Sequence, residues 1–169
     1  MAALLALAAA VWMDANRHAG PLRPLDSRGY ESMVDAHHGH VLVVDFWATW
    51  CLPCREEMPA VVALARRYAK EGVQLATVSA DDSGQMRQAE RFLDSVRAPA
   101  ARYVERSKDD GEFIAAIDTA WTGALPTLFI YDRAGRKVRS LIGEMPTDTL
   151  VAVVRAALLA MPRIPPRKI

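Results

Sequence analysis

A seven-residue apolar segment leads almost directly into the only two cysteines of the chain. Residues 41–47 are a nearly continuous run of β-branched and aromatic side chains, typical of a central strand that is buried on both faces. Cys51 and Cys54 follow after three further residues, where a helical pattern begins. Because amide groups at a helix N-terminus favour negative charge, we expect Cys51 to be a solvent-facing thiolate with a pKa below the ~8.5 of free cysteine. Cys54, one turn further along, is expected to be shielded.

Length and composition favour one globular domain and argue against a nucleic-acid partner and a disulfide scaffold. The chain has 169 residues, of which 51% are hydrophobic, and its 21 basic and 20 acidic residues give a net charge of +1. This balance gives no reason to expect a nucleic-acid partner. Two cysteines are too few for a disulfide scaffold, so their spacing indicates chemistry.

The N-terminal residues suggest a cellular location. Residues 2–13 are uncharged and apolar, with the length of a signal-peptide core and a possible cleavage site at Ala8-x-Ala10, but no basic leader precedes them. We expect a periplasmic or otherwise extracytoplasmic protein, membrane-anchored or released. A cytoplasmic protein with an amphipathic or disordered extension is the alternative. The predicted divisions are an apolar segment and linker (1–24), a folded domain (25–161) and a short basic tail (162–169).

Hydrophobic periodicity predicts strands that alternate with helices, followed by a hairpin and a last helix. Ser27 and Thr147 are the predicted N-caps of the first and last helices, and Pro59 lies inside the helix that follows the cysteines. This order indicates an α/β sandwich with a mixed sheet. The predicted helices are 27–37, 51–70, 85–96, 109–117 and 147–161, and the predicted strands are 41–47, 73–79, 100–104, 128–131 and 137–142.

The sequence VDFWATWCLPCREEMP at 44–59 resembles the thioredoxin superfamily, and within it the exported TlpA/ResA/CcmG-like branch. The similarity extends to Leu125-Pro126-Thr127 and to Gly143, and covers about residues 27–160. It implies a thioredoxin-like three-layer α/β/α sandwich with a mixed central sheet. The segment from about 82 to 104 is then the helix and strand that TlpA-like proteins insert, which usually contributes to partner choice.

The resemblance also implies roles for the residues around the cysteines. Cys51 would attack a substrate disulfide and Cys54 would resolve the resulting mixed disulfide. Asp45, an acid in the middle of an apolar strand, would accept the proton of Cys54. The alternative is that Asp45 is paired with a lysine or bound to backbone amides.

A substrate-binding surface is implied opposite the dithiol. Pro126 resembles the cis-proline of thioredoxin-like sites, which would expose backbone groups of Leu125 to a substrate strand and keep metals off the cysteines. Gly143 would let a substrate backbone approach, unless it only marks a bulge or strand end. Trp50 would lie partly exposed beside Cys51.

Two further residues are implied to tune the dithiol. Glu57 matches a glutamate that tunes the thiol pKa or contacts substrate in ResA-like proteins, although Glu56 and Glu57 equally fit a solvated helix face. Leu52-Pro53 between the cysteines resembles the reducing members of the superfamily.

The leading hypothesis is therefore a thiol–disulfide oxidoreductase that reduces disulfides in exported proteins, apocytochrome c among the plausible targets. It would need no cofactor beyond its own disulfide, and a membrane thiol protein would supply electrons. A redox-inactive binding domain is one alternative. A zinc- or copper-binding module is another alternative. Its ligands would come from the histidines His37, His38 and His40 together with Cys51 and Cys54.

Overall fold

Across residues 20–160, which the computed structural model describes, six strands form one sheet in the order β1-β4-β3-β2-β5-β6. The first four of these strands run parallel, and β5 and β6 are antiparallel to their neighbours. The strands are β1 Arg23–Leu25, β2 Val41–Trp47, β3 Val73–Ser79, β4 Arg102–Glu105, β5 Thr127–Tyr131 and β6 Lys137–Ile142. The helices are α1 Ser27–Asp35, α2 Leu52–Arg67, α3 Met86–Ser95, α4 Asp110–Ile117 and α5 Thr147–Leu159.

Helices cover both faces of the sheet, and each face has its own hydrophobic core. The α2, α3 and α5 helices pack on one face and α1 and α4 on the other. Alternation along β2 divides its side chains accordingly: Val43 and Trp47 point to the first face, and Val44 and Phe46 to the second. Since β2 is buried over its whole length, it is the central strand of a three-layer α/β/α sandwich, as predicted.

The helix and strand predicted within residues 82–104 are α3 and β4. A 3₁₀ turn at Ser83–Gln85 precedes α3, and β4 lies between β1 and β3 in the sheet. The segment thus adds an interior strand to the sheet, and does not form a surface loop.

Helix caps differ from the prediction. Asp26, and not Ser27, caps α1, because its carboxylate accepts the Gly29 N–H at 2.8 Å. Thr147 is the first residue of α5, and the cap position belongs to Pro146, which makes no side-chain cap hydrogen bond. The α1 helix also ends at Asp35, two residues before the predicted end.

The bounds of the linker and of the helix after the cysteines also differ. The predicted apolar segment and linker, 1–24, extends into β1, because Arg23 and Pro24 pair with β4. The α2 helix ends at Arg67, and a 3₁₀ turn at Ala69–Glu71 completes the segment predicted as helix to residue 70.

Within residues 20–160, none of the helices combines the length and apolar character that crossing a membrane requires. The predicted signal or anchor segment and the predicted basic tail lie outside the described residues.

Candidate active site

The two cysteines form a disulfide at the first turn of α2. Cys51 occupies the N-cap position with extended backbone angles, and its Sγ accepts the backbone N–H of Cys54 at 3.3 Å. The N–H of Cys51 itself donates to the Ala48 carbonyl at 3.2 Å, which closes a tight turn between β2 and α2. The sulfur of Cys51 therefore lies where unpaired helix amides favour negative charge.

The disulfide is more enclosed than the prediction of a solvent-facing Cys51 implies. Cys51 is 6% exposed and Cys54 is 2% exposed, and both belong to the core on the α2 face. The side chains on either side of Cys51 are exposed instead, Trp50 at 61% and Leu52 at 59%. In this oxidised state, Cys51 thus belongs to the buried core. The exposed position of Trp50 agrees with the prediction.

Pro126 and Gly143 meet at the end of β2 from which the dithiol turn departs. The Leu125–Pro126 peptide bond is cis. Thr127 is paired with Phe46, so Pro126 is level with the last residue of β2. Gly143 donates its N–H to the Pro126 carbonyl at 2.8 Å. Register and this hydrogen bond therefore place both residues at the dithiol end of the sheet.

The surface next to the cis-proline has free backbone groups and free space. Among residues 20–160, neither the N–H nor the C=O of Leu125 has a hydrogen-bond partner. Gly143 has a φ of +87°, and a Cβ added there would meet no atom within 4 Å. The structure therefore leaves room for one further atom at Gly143 and leaves the backbone of Leu125 unpaired within the described residues.

Asp45 is buried on the face of the sheet that packs against α2. It is 4% exposed and lies on the same face of β2 as Val43 and Trp47, which pack in the same core as Cys54. Burial raises the pKa of Asp45 well above its usual value, and the negative charge of Glu57 raises it further. Within residues 20–160 its carboxyl group forms neither an ion pair nor a hydrogen bond, so the lysine-paired and amide-bound alternatives gain no support. A carboxyl group in this state is suited to receive a proton.

Glu57 and Glu56 differ in their surroundings. Glu56 is exposed, as a solvated helix face requires, whereas Glu57 is half-buried and both of its carboxylate oxygens are enclosed. Burial raises the pKa of Glu57, the nearby Met145 backbone amide lowers it, and Glu144 raises it. The Met145 amide is close enough to act on the charge, but does not reach hydrogen-bond geometry with either oxygen. The solvated-face alternative therefore fits Glu56 alone.

One acidic residue near the site was not predicted to take part in it. Asp81 is only 1% exposed, and its carboxylate accepts hydrogen bonds from Thr49, two residues before Cys51. The available signal was its position just after β3, since β3 lies parallel to β2 and both strands end at the same edge of the sheet.

The residues proposed as metal ligands are far apart. His40 lies directly before β2, and Cys51 lies four residues after its last residue. The two ends of this seven-residue strand are about 20 Å apart. His37 uses its Nδ1 for a hydrogen bond with the Met33 carbonyl at 2.6 Å. In the part of the chain from 20 to 160, no three potential ligand side chains cluster in a way that could hold a metal ion. The geometry does not support the metal-binding alternative.

Comparison with known proteins gives consistent matches. The model of the AhpC/TSA family matches residues 21–140. The thiol-disulfide oxidoreductase ResA of Bacillus thuringiensis (strain Al Hakam) is 32% identical over 114 residues, which cover 66% of this chain and 60% of the ResA chain. The thiol:disulfide interchange protein HelX of Rhodobacter capsulatus is 30% identical over 129 residues, 76% of this chain and 67% of HelX.

A solved structure is also similar to this chain. A candidate thiol:disulfide interchange protein DsbE from Chlorobium tepidum superposes with a TM-score of 0.57 at 27% identity, over 74% of this chain and 84% of that chain. The present chain spans about 60% of the length of the first ResA relatives. These matches confirm the resemblance to ResA-like proteins and the thioredoxin-like fold. The chain belongs to the AhpC/TSA family.

Proposed function

We propose that this protein is a thiol–disulfide oxidoreductase that reduces disulfide bonds in other proteins. The observation that carries the proposal is the Cys51–Cys54 disulfide at the N-cap of α2, with the Cys54 amide directed at the Cys51 sulfur. That arrangement stabilises a thiolate on Cys51 when the bond is reduced. The names of the relatives, thiol-disulfide oxidoreductase and thiol:disulfide interchange protein, describe the same chemistry.

The reaction transfers two electrons from the dithiol to a substrate disulfide. The Cys51 thiolate attacks one substrate sulfur, which forms a mixed disulfide and releases the other substrate sulfur as a thiolate. Cys54 then gives its proton to Asp45, and its sulfur attacks the Cys51 sulfur. This step closes the Cys51–Cys54 bond and releases the second substrate thiolate, so the substrate is reduced and the protein is oxidised.

Asp45 and Glu57 act on the second half of this reaction. Asp45 is the buried base for Cys54, and its raised pKa brings its proton affinity closer to that of a thiol. Glu57 adds negative charge that raises the proton affinity of Asp45 further. Glu57 thereby tunes the dithiol through Asp45.

The substrate is a polypeptide, bound over the exposed surface around the dithiol. Trp50 and Leu52 present apolar surface beside Cys51. The backbone of Leu125 is available to pair with an extended substrate segment, and Gly143 leaves room for its main chain. The disulfide to be reduced would then lie over the start of α2.

The proposal also covers the direction of electron transfer and the cellular location of the protein. The reducing direction is supported by Leu52-Pro53, which resembles the reducing members of the superfamily. An extracytoplasmic location, by anchor or export, is supported by the apolar pattern of residues 2–13. In that compartment, the dithiol draws its electrons from a membrane thiol protein and passes them to exported proteins such as apocytochrome c. No cofactor beyond the cysteine pair is required.

The test combines insulin reduction with the reduction potential of the cysteine pair. Wild-type protein should reduce insulin, and Cys51→Ser should not. Cys54→Ser is the matched variant, because it retains the attacking thiol and should accumulate a mixed disulfide that Cys51→Ser cannot form. Asp45→Asn should resolve the mixed disulfide about 10²-fold more slowly, the lower end of the usual contribution of a general base.

Three results would overturn parts of this proposal. A potential above about −150 mV would make the protein an oxidant of thiols instead of a reductase. Stoichiometric zinc on the reduced protein, lost in Cys51→Ser, would indicate a metal-binding module. Full biological function in Cys51→Ala would indicate a binding domain without redox turnover.

A further inference from the structure

Asp81 lies behind the turn that delivers Cys51 to α2, and its carboxylate is held by several hydrogen bonds. The Thr49 N–H donates to both carboxylate oxygens at 3.0 Å, and the Thr49 hydroxyl donates to Oδ1 at 2.6 Å. The Ser79 hydroxyl donates to Oδ2 at 2.7 Å and accepts the Asp81 N–H at 3.0 Å. Asp81 is 1% exposed, and Thr49 is 4% exposed. A buried carboxylate with this many donors is well defined in position.

Thr49 is the second residue of the dithiol turn, which we define as residues 48–51. The Cys51 N–H donates to the Ala48 carbonyl at 3.2 Å, so the turn is short, and a rotation of Thr49 would move Cys51. The end of β2 is attached to β3 separately, since the Ala80 N–H donates to the Trp47 carbonyl at 2.9 Å. Asp81 adds the attachment that fixes the turn itself.

The segment after β4 contacts the same residue. The Arg106 side chain donates through Nη1 to the Asp81 carbonyl oxygen at 2.9 Å. The Arg106 N–H donates to the Leu25 carbonyl at 2.9 Å, so Arg106 is itself held against β1. The inserted part of the sheet is therefore connected to the dithiol turn through Asp81.

We propose that Asp81 is a positioning residue for the dithiol, which holds the 48–51 turn in the geometry that directs the Cys54 amide at the Cys51 sulfur. The inference rests on the proposed function, because it concerns the reactivity of the same cysteine pair. Asp81 does not touch the substrate or the sulfur atoms. It acts through Thr49.

The sign of the effect separates positioning from charge. A fixed negative charge near Cys51 disfavours the thiolate, so if Asp81 acted only by its charge, its removal would lower the pKa of the Cys51 thiol. If Asp81 acts by positioning the turn, its removal loosens the contact between the amide and the sulfur. The pKa of the Cys51 thiol then rises, and the potential of the pair becomes more negative, because a less stable thiolate makes the reduced form less favourable.

The experiment measures the rate of Cys51 alkylation by iodoacetamide as a function of pH in the reduced full-length protein, with the alkylated cysteine identified by mass spectrometry. Asp81→Ala should raise the pKa of the Cys51 thiol by about one unit, a tenfold lower thiolate fraction at a pH below that pKa. Thr49→Val, which removes only the hydroxyl donor, should raise it by less. Thr49→Ser retains the hydroxyl and Asp82→Asn removes the charge of the exposed neighbouring acid, and both should behave as the wild type.

An unchanged or lowered pKa of the Cys51 thiol in Asp81→Ala and Thr49→Val would overturn the proposal. If Asp81→Ala does not fold, the comparison of Thr49→Val with Thr49→Ser decides alone. Alkylation requires no substrate, so the result is independent of insulin reduction. A wild-type protein that fails to reduce insulin would refute the proposed function, whereas normal insulin reduction with no pKa change in the variants would refute only the role of Asp81.

Discussion

Asp45 lies directly beside Thr77 in the parallel pairing of β2 with β3, and no cationic side chain is paired with Asp45 within residues 20–160. Asp45 is 4% exposed and Thr77 is fully buried. The Thr77 hydroxyl has no hydrogen-bond partner among the described residues. The neighbour of Asp45 on β3 is thus a neutral hydroxyl group, and burial is the main influence on the ionisation of Asp45.

Asp45→Asn should stabilise the fold at neutral and alkaline pH. The pKa of Asp45 is higher in the folded than in the unfolded state, so the folded protein loses stability as pH rises from the unfolded value, near 3.9, through the folded value. Asn does not titrate and avoids this loss, which amounts to about 1.4 kcal/mol for each unit of pKa difference. Urea unfolding from pH 4 to pH 9 measures it. Equal pH dependence in the two proteins would contradict the prediction.

Glu57→Gln should lower the pKa of Asp45, because it removes the negative charge that disfavours ionisation of Asp45. The carboxyl carbon of Asp45, followed by NMR during a pH titration, reports this pKa directly. Glu56→Gln is the matched control, since Glu56 is exposed on the same helical turn and should leave the titration of Asp45 unchanged. A titration of Asp45 that stays at the wild-type pH in Glu57→Gln would show that the two carboxyl groups do not interact.

The central strand and the dithiol could be predicted from local sequence, whereas some other elements could not. The apolar run of β2 is long enough to identify itself, and the helix start is marked by the cysteine spacing. By contrast, β1 has three residues, and only its pairing with β4, about 80 residues later, makes it a strand. Local composition contains no signal for such a pairing.

Asp81 shows the same limit within the site. It lies in an Asp-Asp-Ser-Gly segment, which is typical of a solvated turn. Its burial depends on Thr49, 32 residues earlier in the chain. The enclosure of Cys51 likewise results from tertiary packing and not from the motif.

Gly143→Ala should reduce activity toward protein disulfides by more than its effect on stability explains. The φ of +87° disfavours a side chain, so a loss of about 1 kcal/mol in unfolding free energy is expected. Gly39→Ala is the matched control, with a φ of +90° and equally open space, at the opposite end of β2. Both variants should lose similar stability in urea, and only Gly143→Ala should lose insulin reductase activity. Equal activity in the two would remove the proposed role of Gly143.

Trp50→Ala should weaken the reaction with protein substrates and leave the fold intact. Trp50 is 61% exposed, so the unfolding free energy should change by less than about 0.5 kcal/mol. A loss of about tenfold in kcat/KM for insulin is expected if the indole packs against bound polypeptide, as exposed aromatics do in interfaces. Leu159→Ala, at a residue that is 79% exposed at the end of α5, should change neither quantity. An unchanged kcat/KM in Trp50→Ala would exclude the indole from substrate binding.

Arg102→Met should destabilise the inserted segment. Arg102 is 1% exposed and forms an ion pair with Asp94 at 2.6 Å. It also donates to three backbone carbonyls at the end of α3 and in the loop that follows, those of Leu93, Ala98 and Pro99. Methionine fills a similar volume but leaves these acceptors without a donor, at a cost of about 2–4 kcal/mol in urea unfolding. Arg91→Met removes an exposed charge from the same helix and should cost less than about 0.5 kcal/mol. If the two variants were equally stable, the Arg102 contacts would not stabilise the junction of α3 and β4.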